Sequence, residues 1–251
     1  AAITAGSLSV DAASNDGGAK GLRSGGTLTV NVSGTVDNAG LIAGDDGLTL
    51  TAAQLDNAST GLIRAGDTAP ADATMTVTGN ISQSGRLSSL GALNISAATL
   101  SNLAGSTVEA TNLTVNATGA TVNAGAVHGA QSLAWTAASL ANNAGATLTS
   151  GGAMTLSGQP TGTTSFTNSG TASANTLTAT FGTITNNAAA KLYAESNLTA
   201  TANTLTNSGN VQSNGAMTLN VGALSNTASA TETAYITAVN RLPMLTLQEE
   251  Q

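Results

Sequence analysis

The sequence predicts an all-β fold, a right-handed parallel β-helix (solenoid) of about eleven rungs of about twenty residues, where a rung is one full circuit of the chain. Two observations predict it. A short pattern of apolar residues, an amide and a glycine recurs along nearly the whole chain, and no segment repeats with the 3.6-residue period of a helix. One copy reads Leu28-Thr29-Val30, Val36-Asp37-Asn38 and Gly40-Leu41-Ile42. A period near twenty residues is typical of solenoid proteins.

Two landmarks follow this period independently of each other. The first is the apolar residue that opens each copy, at spacings of 18 to 27 residues: Leu28, Leu48, Met75, Leu93, Leu113, Leu133, Met154, Leu177, Leu198 and Met217. The second is an amide residue, at spacings of 18 to 26 residues: Asn38, Asn57, Gln83, Asn102, Asn123, Asn142, Asn168, Asn186, Asn207 and Asn226. We expect a weaker first copy to begin at Leu8 and to end at Leu22. Chance matches would drift apart, so the agreement indicates a true repeat.

Each copy contains three short strands. Leu28 and Val30 are two residues apart, as are Val36 and Asn38, and this period of two predicts strands separated by Gly, Asn and Ser. Twenty residues cannot fold alone, because ordering their backbone costs about 20–40 kcal/mol. Four or five inward apolar side chains return only about 1.5–3 kcal/mol each. Each rung must therefore stack on the previous one at about 4.8 Å, in the right-handed sense that parallel strand connections favour.

The composition limits the class of protein further. Charged residues make up 8% of the chain and aromatic residues 2%, and both values are low for a globular domain. An interior too narrow for many rings explains the scarcity of aromatic residues. The net charge of −7 with six basic residues argues against a nucleic-acid partner. No apolar run approaches the 18 residues of a membrane-spanning helix, and the absence of cysteine excludes disulfides and thiolate metal sites. We expect no cofactor and no metal.

The repeats define the domain organisation. Residues 1–235 are predicted to form the repeat domain, and residues 236–251 a tail or the start of another region. Two copies carry insertions rich in Gly, Thr and Pro, which we interpret as surface loops: 65–73 with Pro70, and 157–165 with Pro160.

Two segments carry a family resemblance: Gly47-Leu48-Thr49-Leu50-Thr51-Ala52 with Leu55-Asp56-Asn57, and Ser196-Asn197-Leu198-Thr199-Ala200 with Leu205-Thr206-Asn207. The pattern resembles the haemagglutinin repeats of filamentous haemagglutinin and of CdiA-type contact-dependent inhibition proteins, over roughly residues 5–230. The resemblance implies a bacterial exoprotein that an outer-membrane two-partner-secretion transporter exports, forming a long right-handed β-helical fibre on the cell surface.

Within that resemblance we expect a structural fibre segment of a longer chain, one that holds a distal binding or toxin region away from the cell. The alternative is an adhesion module that binds a receptor or glycan on one face of the β-helix. The sequence contains no hydrolase motif and no phosphate-binding loop. The acid nearest in phase to the single His128 is Glu109, one rung away, which we interpret as a surface contact and not as a catalytic pair. We therefore expect that the protein is not an enzyme.

Residues of equal phase should stack into rows along the rod. Asn38 shares a strand face with Val36, so we expect the amide row to point inward and to form a hydrogen-bonded ladder. A row after the exit residue of each copy collects unusual outward side chains and is the candidate partner-contact row; a solvated edge is the alternative: Arg23, Arg64, Glu109, His128, Tyr193 and Gln212.

Two further outward features have simpler interpretations. A threonine row containing Thr29, Thr49 and Thr76 raises the hypothesis of ice binding. Its flanking row, which includes Thr74, is broken, and the β-propensity of threonine explains the row by itself. Asp37 and Asp56 share a phase on adjacent rungs, where a weak Ca²⁺ site or, as we favour, splayed hydrated carboxylates are the two interpretations.

Overall fold

The structure is a computed structural model that describes residues 1–11, 21–160, 162–228, 234–238 and 246–247, the last pair as backbone only. Every regular element in these ranges is a β-strand. In chain order the strands are β1 (Ala2–Ala5), β2 (Leu8–Val10), β3 (Leu22–Ser24), β4 (Thr27–Val32), β5 (Thr35–Asn38), β6 (Leu41–Gly44), β7 (Gly47–Ala52), β8 (Gln54–Asn57), β9 (Leu62–Ala65), β10 (Ala73–Val77), β11 (Asn80–Gln83), β12 (Arg86–Ala97), β13 (Thr99–Asn102), β14 (Thr107–Ala117), β15 (Ala120–Asn123), β16 (Ala126–Ala137), β17 (Ser139–Asn142), β18 (Thr147–Gly158), β19 (Ser165–Asn168), β20 (Thr171–Thr180), β21 (Thr183–Asn186), β22 (Lys191–Asn207), β23 (Asn210–Ser213), β24 (Met217–Asn226), β25 (Tyr235–Ala238) and β26 (Thr246–Leu247).

The strands form three faces, and each rung visits them in the order A, B, C. Face A consists of β1, β4, β7, β10 and β26, the last parts of β12, β14, β16, β18 and β20, the middle of β22 and the start of β24. Face B consists of β2, β5, β8, β11, β13, β15, β17, β19 and β21 with the ends of β22 and β24. Face C consists of β3, β6, β9, β23 and β25 with the first parts of β12, β14, β16, β18, β20 and β22.

All strand pairs in the described ranges are parallel, and each strand pairs with the equivalent strand of the next rung. This arrangement confirms the predicted β-solenoid, with about ten rungs in the described part of the chain where about eleven were predicted. The right hand of the coil stays a prediction.

The core is a continuous column of inward side chains. Leu28, Leu48, Leu113 and their equivalents are buried at the start of face A, and Trp135 and Phe166 are the largest side chains below 2% exposure. Phe166 and Phe181 contact each other with ring centroids 5.6 Å apart. The narrow column therefore accommodates a few aromatic rings, in agreement with their scarcity in the sequence.

Glycine at the corner between faces B and C allows the rungs to approach closely. A Cβ atom on Gly85 would lie 2.2 Å from the carbonyl oxygen of Gly61 and 2.3 Å from that of Ala58. Real Cβ atoms do not approach backbone this closely, so the packing of this rung against the previous one requires glycine at position 85.

Two predicted phases are wrong. Ala73, not Met75, is the opening apolar residue of its rung, since Ala73 pairs with Leu48 and with Leu93. The opening position of this rung lies two residues earlier than hydrophobicity indicates, because a buried alanine takes the place of the expected large residue. Leu8 does not open a copy either: it pairs with Val36 on face B.

The two insertions form the connections that the sequence predicts. Residues 66–72 join β9 to β10, and residues 159–164 join β18 to β19, apart from residue 161, which lies outside the described ranges. At the other end, β25 crosses the predicted domain boundary at residue 235 and pairs with β23. Most of the predicted tail lies outside the described residues. No helix in the described ranges has the length and apolar content needed to cross a membrane.

Candidate functional site

Face B carries the amide row on its inner side. Nine of the ten predicted amide residues, from Asn38 to Asn207, are at most 1% exposed, and Asn226 at the end of the row is exposed. Period-two strands put each amide on the same side as a buried apolar residue two positions earlier, such as Val36 before Asn38. The row is thus part of the core and not of the surface.

The amides form hydrogen bonds from rung to rung. In eight of the steps between Asn38 and Asn226, the Nδ2 atom of one residue donates to the side-chain oxygen of the next at 2.7–2.8 Å. The second hydrogen of several amides reaches a backbone carbonyl of the next rung, as Asn123 does to Thr147 at 3.0 Å. Buried amides must be paired in this way, because an unpaired one costs about 1–3 kcal/mol.

The ladder has one irregular step, at Gln83. Its Nε2 atom donates to the carbonyl of Thr107 at 3.3 Å and not to the next amide. The hydroxyl of Ser106, which is 1% exposed, instead donates to Oδ1 of Asn102 at 2.7 Å. A serine therefore supplies the hydrogen bond that the longer glutamine side chain does not make.

Face A presents two parallel outward rows without a charged residue. The first is Thr29, Thr49, Thr74, Asn94, Thr114, Ala134, Thr155, Thr178, Thr199 and Thr218. The second, two residues later on each strand, is Asn31, Thr51, Thr76, Ser96, Asn116, Thr136, Ser157, Thr180, Thr201 and Asn220. The predicted positions of Thr74 and Thr76 are corrected with the phase of their rung: Thr74 belongs to the first row and Thr76 to the second. Rows of short polar side chains do not by themselves identify a ligand.

Face C brings the predicted partner-contact row into one line. Strand pairing stacks Arg23, Ala43, Arg64, Ser88, Glu109, His128, Thr149, Ser173, Tyr193 and Gln212 in this order. The unusual side chains of the row separate into two clusters, one from Arg23 to His128 and one at Tyr193. Gln212 stacks next to Tyr193.

The first cluster begins with four ion-paired residues. Arg23 contacts Asp45 at 3.0 Å and Asp67 at 3.1 Å, and Arg64 contacts Asp67 at 2.6 Å and Asp45 at 3.9 Å. Arg64 also donates to the carbonyl of Gly66 at 2.8 Å. The hydrogen bond from Arg64, followed by its charge, lowers the pKa of Asp67, and the hydrogen bond to Asp45 raises the pKa of Arg23. The network ties the 66–72 loop to two earlier rungs.

A groove lies beside this network, between the 66–72 loop and face C. It has a volume of about 330 Å³, and Asp67, Arg86, Ser88, Leu90, Glu109 and His128 are among the residues that line it. Arg86 pairs with Glu109, with its Nε atom 2.8 Å from Oε1. Nδ1 of His128 lies 2.9 Å from the hydroxyl of Thr149, so Glu109 and His128 stack but have different partners.

The second cluster surrounds Tyr193. Nζ of Lys191 lies 4.3 Å from the centre of the tyrosine ring, and Asn214 donates to the phenol oxygen at 2.7 Å and to Glu195 at 3.1 Å. The neighbouring Glu195 carboxylate, by hydrogen bonding, raises the pKa of the Tyr193 phenol. This cluster is a polar surface patch with one partly covered aromatic ring.

The acidic pair of face B is placed as its phase indicates. Asp37 pairs in register with Asp56, and both side chains are exposed. Among the residues that the structure describes, no group of three His, Cys, Asp or Glu side chains is arranged to hold a metal ion. The two carboxylates lie exposed on adjacent rungs, and the choice between a weak Ca²⁺ site and splayed hydrated side chains stays a prediction.

The sequence of the chain is similar to one known protein family. A family model described as the haemagglutinin repeat matches residues 3–85, 68–112, 91–158 and 166–240. The chain belongs to the haemagglutinin repeat family. Comparisons with curated proteins and with solved structures gave no match. Haemagglutinin-repeat proteins are secreted surface proteins of the two-partner-secretion type, and the solenoid fits an adhesin-type shaft.

Sequence reasoning missed the groove and the ion-pair network of this haemagglutinin-repeat chain. Both depend on Asp45 at a corner and Asp67 in an insertion, and neither residue has a defined phase in the repeat. The signal that could have indicated them is the local concentration of arginine and aspartate in residues 23–72.

Proposed function

We propose that this chain is a non-catalytic shaft of a secreted bacterial surface protein, which holds a distal binding or toxin region away from the cell. The observation that supports it is the continuity of the stack. The parallel strands of face B pair from rung to rung without a break between Asn38 and Asn226. The amide ladder follows them, with one irregular step at Gln83. Nearest-neighbour contacts of this kind produce a rod whose length increases with the number of rungs.

Toxin delivery of the CdiA type is the more specific form of this proposal. It rests on the family resemblance, since the repeats occur in adhesins and in contact-dependent inhibition proteins alike. In either case the repeats would act through length, not through chemistry.

The shaft proposal is tested in the full-length protein on its producing cell. Removing whole rungs should reduce contact-dependent binding or inhibition of target cells, and inserting the same number of rungs from another part of the rod should restore it. If an equal number of rungs from another part of the rod does not restore the function, a purely spacing role is contradicted, because specific surface residues are then needed.

A second candidate is an adhesion module that binds a receptor or glycan on face C. The groove beside the partner-contact row favours it, since it is the place on the described surface where charged, aliphatic and imidazole side chains meet in a concave site. Replacing Arg23, Arg64, His128 and Tyr193 together tests this candidate. Unchanged binding to target cells by a folded variant would remove it and leave the shaft proposal in place.

A further inference from the structure

The groove on face C spans four consecutive rungs. Arg64, Ser88, Glu109 and His128 are neighbours in register, so three strand spacings of about 4.8 Å give it a length of about 14 Å along the rod. One wall is the 66–72 loop and the other is the face itself. Its volume of about 330 Å³ falls in the range of roughly 300–1,000 Å³ that is usual for small-molecule sites.

The loop wall is held in position. Gly66 has a φ of +82°, and a Cβ atom there would lie 3.0 Å from Cβ of Leu90. Glycine is therefore needed for the loop to turn against Leu90. The ion pairs of Asp67 with Arg23 and Arg64 fix the other side of the loop. A site with a fixed wall loses little conformational entropy when a ligand binds.

The charges that line the groove are balanced. Arg64 pairs with Asp67 and Arg86 with Glu109. A sulfated or phosphorylated ligand would have to break one of these pairs, because the described part of the groove contains no unpaired arginine or lysine. The electrostatics therefore disfavour an anionic ligand and are compatible with a neutral one.

The other side chains that line the groove are suited to bind a ligand that carries hydroxyl groups. The hydroxyl of Ser88 makes no hydrogen bond with other described residues, and the Nε2 side of His128 is directed away from its bond to Thr149. Leu90 is 47% exposed, the largest exposure among the large apolar side chains that the structure describes. A sugar ring presents hydroxyls that both donate and accept and an apolar face of C–H groups, which matches hydroxyl, imidazole and aliphatic groups in one groove.

We propose that the face C groove binds a short neutral oligosaccharide, which lies along the rod with an apolar ring face against Leu90 and hydroxyls toward Ser88 and His128. This proposal rests on the second candidate function above and names its ligand class.

The test begins with the purified chain on a printed array of neutral oligosaccharides, with sulfated oligosaccharides printed alongside. We expect binding to neutral members of the array. For the strongest of these, Ser88→Tyr should weaken the affinity at least about tenfold, because the new ring fills the groove. Ser173→Tyr is the matched control: Ser173 lies in the same row outside the groove, and its substitution should change the affinity less than about twofold.

His128→Ala provides a second variant if the thermal unfolding of Ser88→Tyr shows that it does not fold. It should also weaken binding, with an unchanged unfolding midpoint. A blank neutral array, binding restricted to the sulfated set, or full affinity in both Ser88→Tyr and His128→Ala would overturn the proposal. If the chain binds target cells through face C but binds nothing on the neutral array, the adhesion function is supported and the oligosaccharide proposal is wrong.

Discussion

Trp135 is fully buried, and its indole N–H needs an acceptor inside a column of aliphatic side chains. Nε1 donates to the hydroxyl of Thr121 at 3.1 Å. Thr121 is 1% exposed and lies at an inward position that leucine occupies on the rungs before and after it, Leu100 and Leu140. The need of the Trp135 indole for an acceptor therefore explains why threonine replaces leucine at position 121. A buried donor without a partner costs more free energy than its hydrogen bond contributes.

We expect Thr121→Val to destabilise the protein by about 1–3 kcal/mol, because valine keeps the shape of threonine but leaves the indole unpaired. Denaturant unfolding measures the change. In a Trp135→Phe background the same substitution should cost less, and equal costs in both backgrounds would show that the two residues are not coupled.

The stability of the protein should also depend on single residues of the amide ladder. Asn123→Leu should leave the Nδ2 donor of Asn102 and the Oδ1 acceptor of Asn142 without their ladder partners, at about 1–3 kcal/mol for each group. Asn116→Leu, on the exposed side of face A, is the control and should change the free energy of unfolding by less than about 0.5 kcal/mol. Similar losses in both variants would contradict a specific role for the ladder.

The phenol of Tyr193 should titrate above its usual pKa of 10.0, because the neighbouring Glu195 carboxylate favours the protonated form. Spectrophotometric titration in a Tyr235→Phe background measures Tyr193 alone, since the chain has two tyrosines. Glu195→Gln should lower the pKa toward the usual value. An unchanged titration curve would show that Glu195 does not contact the phenol in solution.

At the scale of elements, the 66–72 loop is the segment whose position depends most on charge. Asp67 contacts arginines from two different strands, β3 and β9, and these contacts hold the loop over face C. The lowered pKa of Asp67 means that the folded state binds its proton less tightly than the unfolded state. The stability from Asp67 is therefore fully present above its ordinary pKa of 3.8 and is lost as the pH falls through the lower folded value.

Asp67→Asn should accordingly lower the unfolding midpoint in denaturant at neutral pH, and the difference from the unsubstituted protein should shrink as the pH falls below about 4. Because the pair is exposed, the effect should be small. Asp56→Asn is the control, since Asp56 lies exposed on face B and forms no ion pair with the described residues. A difference that stays constant with pH would show that the charge of Asp67 is not what holds the loop.

Elements within the repeat could be predicted from the sequence because their signals recur. The inward orientation of Asn123 is implied by its spacing from Thr121, and the same spacing recurs between Val36 and Asn38. The phase of Ala73 is not predicted because a single buried alanine carries little hydrophobic signal. The phase of Leu8 is not predicted because its rung is short. The wall of the groove could not be predicted, because the approach of Gly66 to Leu90 depends on a loop that occurs once.

At the scale of the whole molecule, stability should be a sum of contacts between neighbouring rungs. Deleting residues 198–216 removes one rung in register and joins Asn197 to Met217, which then takes the place of Leu198. We expect this variant to keep its strand content per residue by circular dichroism and to shorten the rod by about 4.8 Å.

Deleting residues 198–207 provides the out-of-register comparison. It removes about half a rung and places face C residues over face A, so inward and outward positions no longer match. The segment after the deletion should then be degraded by protease while earlier rungs persist. Equal resistance of the two variants would show that register does not determine stability here.

The ladder amides have equivalent hydrogen-bond partners on almost every rung, so a rung can be followed by a rung from another part of the rod with the same ladder contacts. A gene that encodes such units tolerates unequal recombination, because the gain or loss of a whole unit leaves the strand register of all remaining units unchanged. Under the proposed shaft function, the reach from the cell would vary between descendants of one ancestor in steps of a single unit, without any change to the regions at its ends.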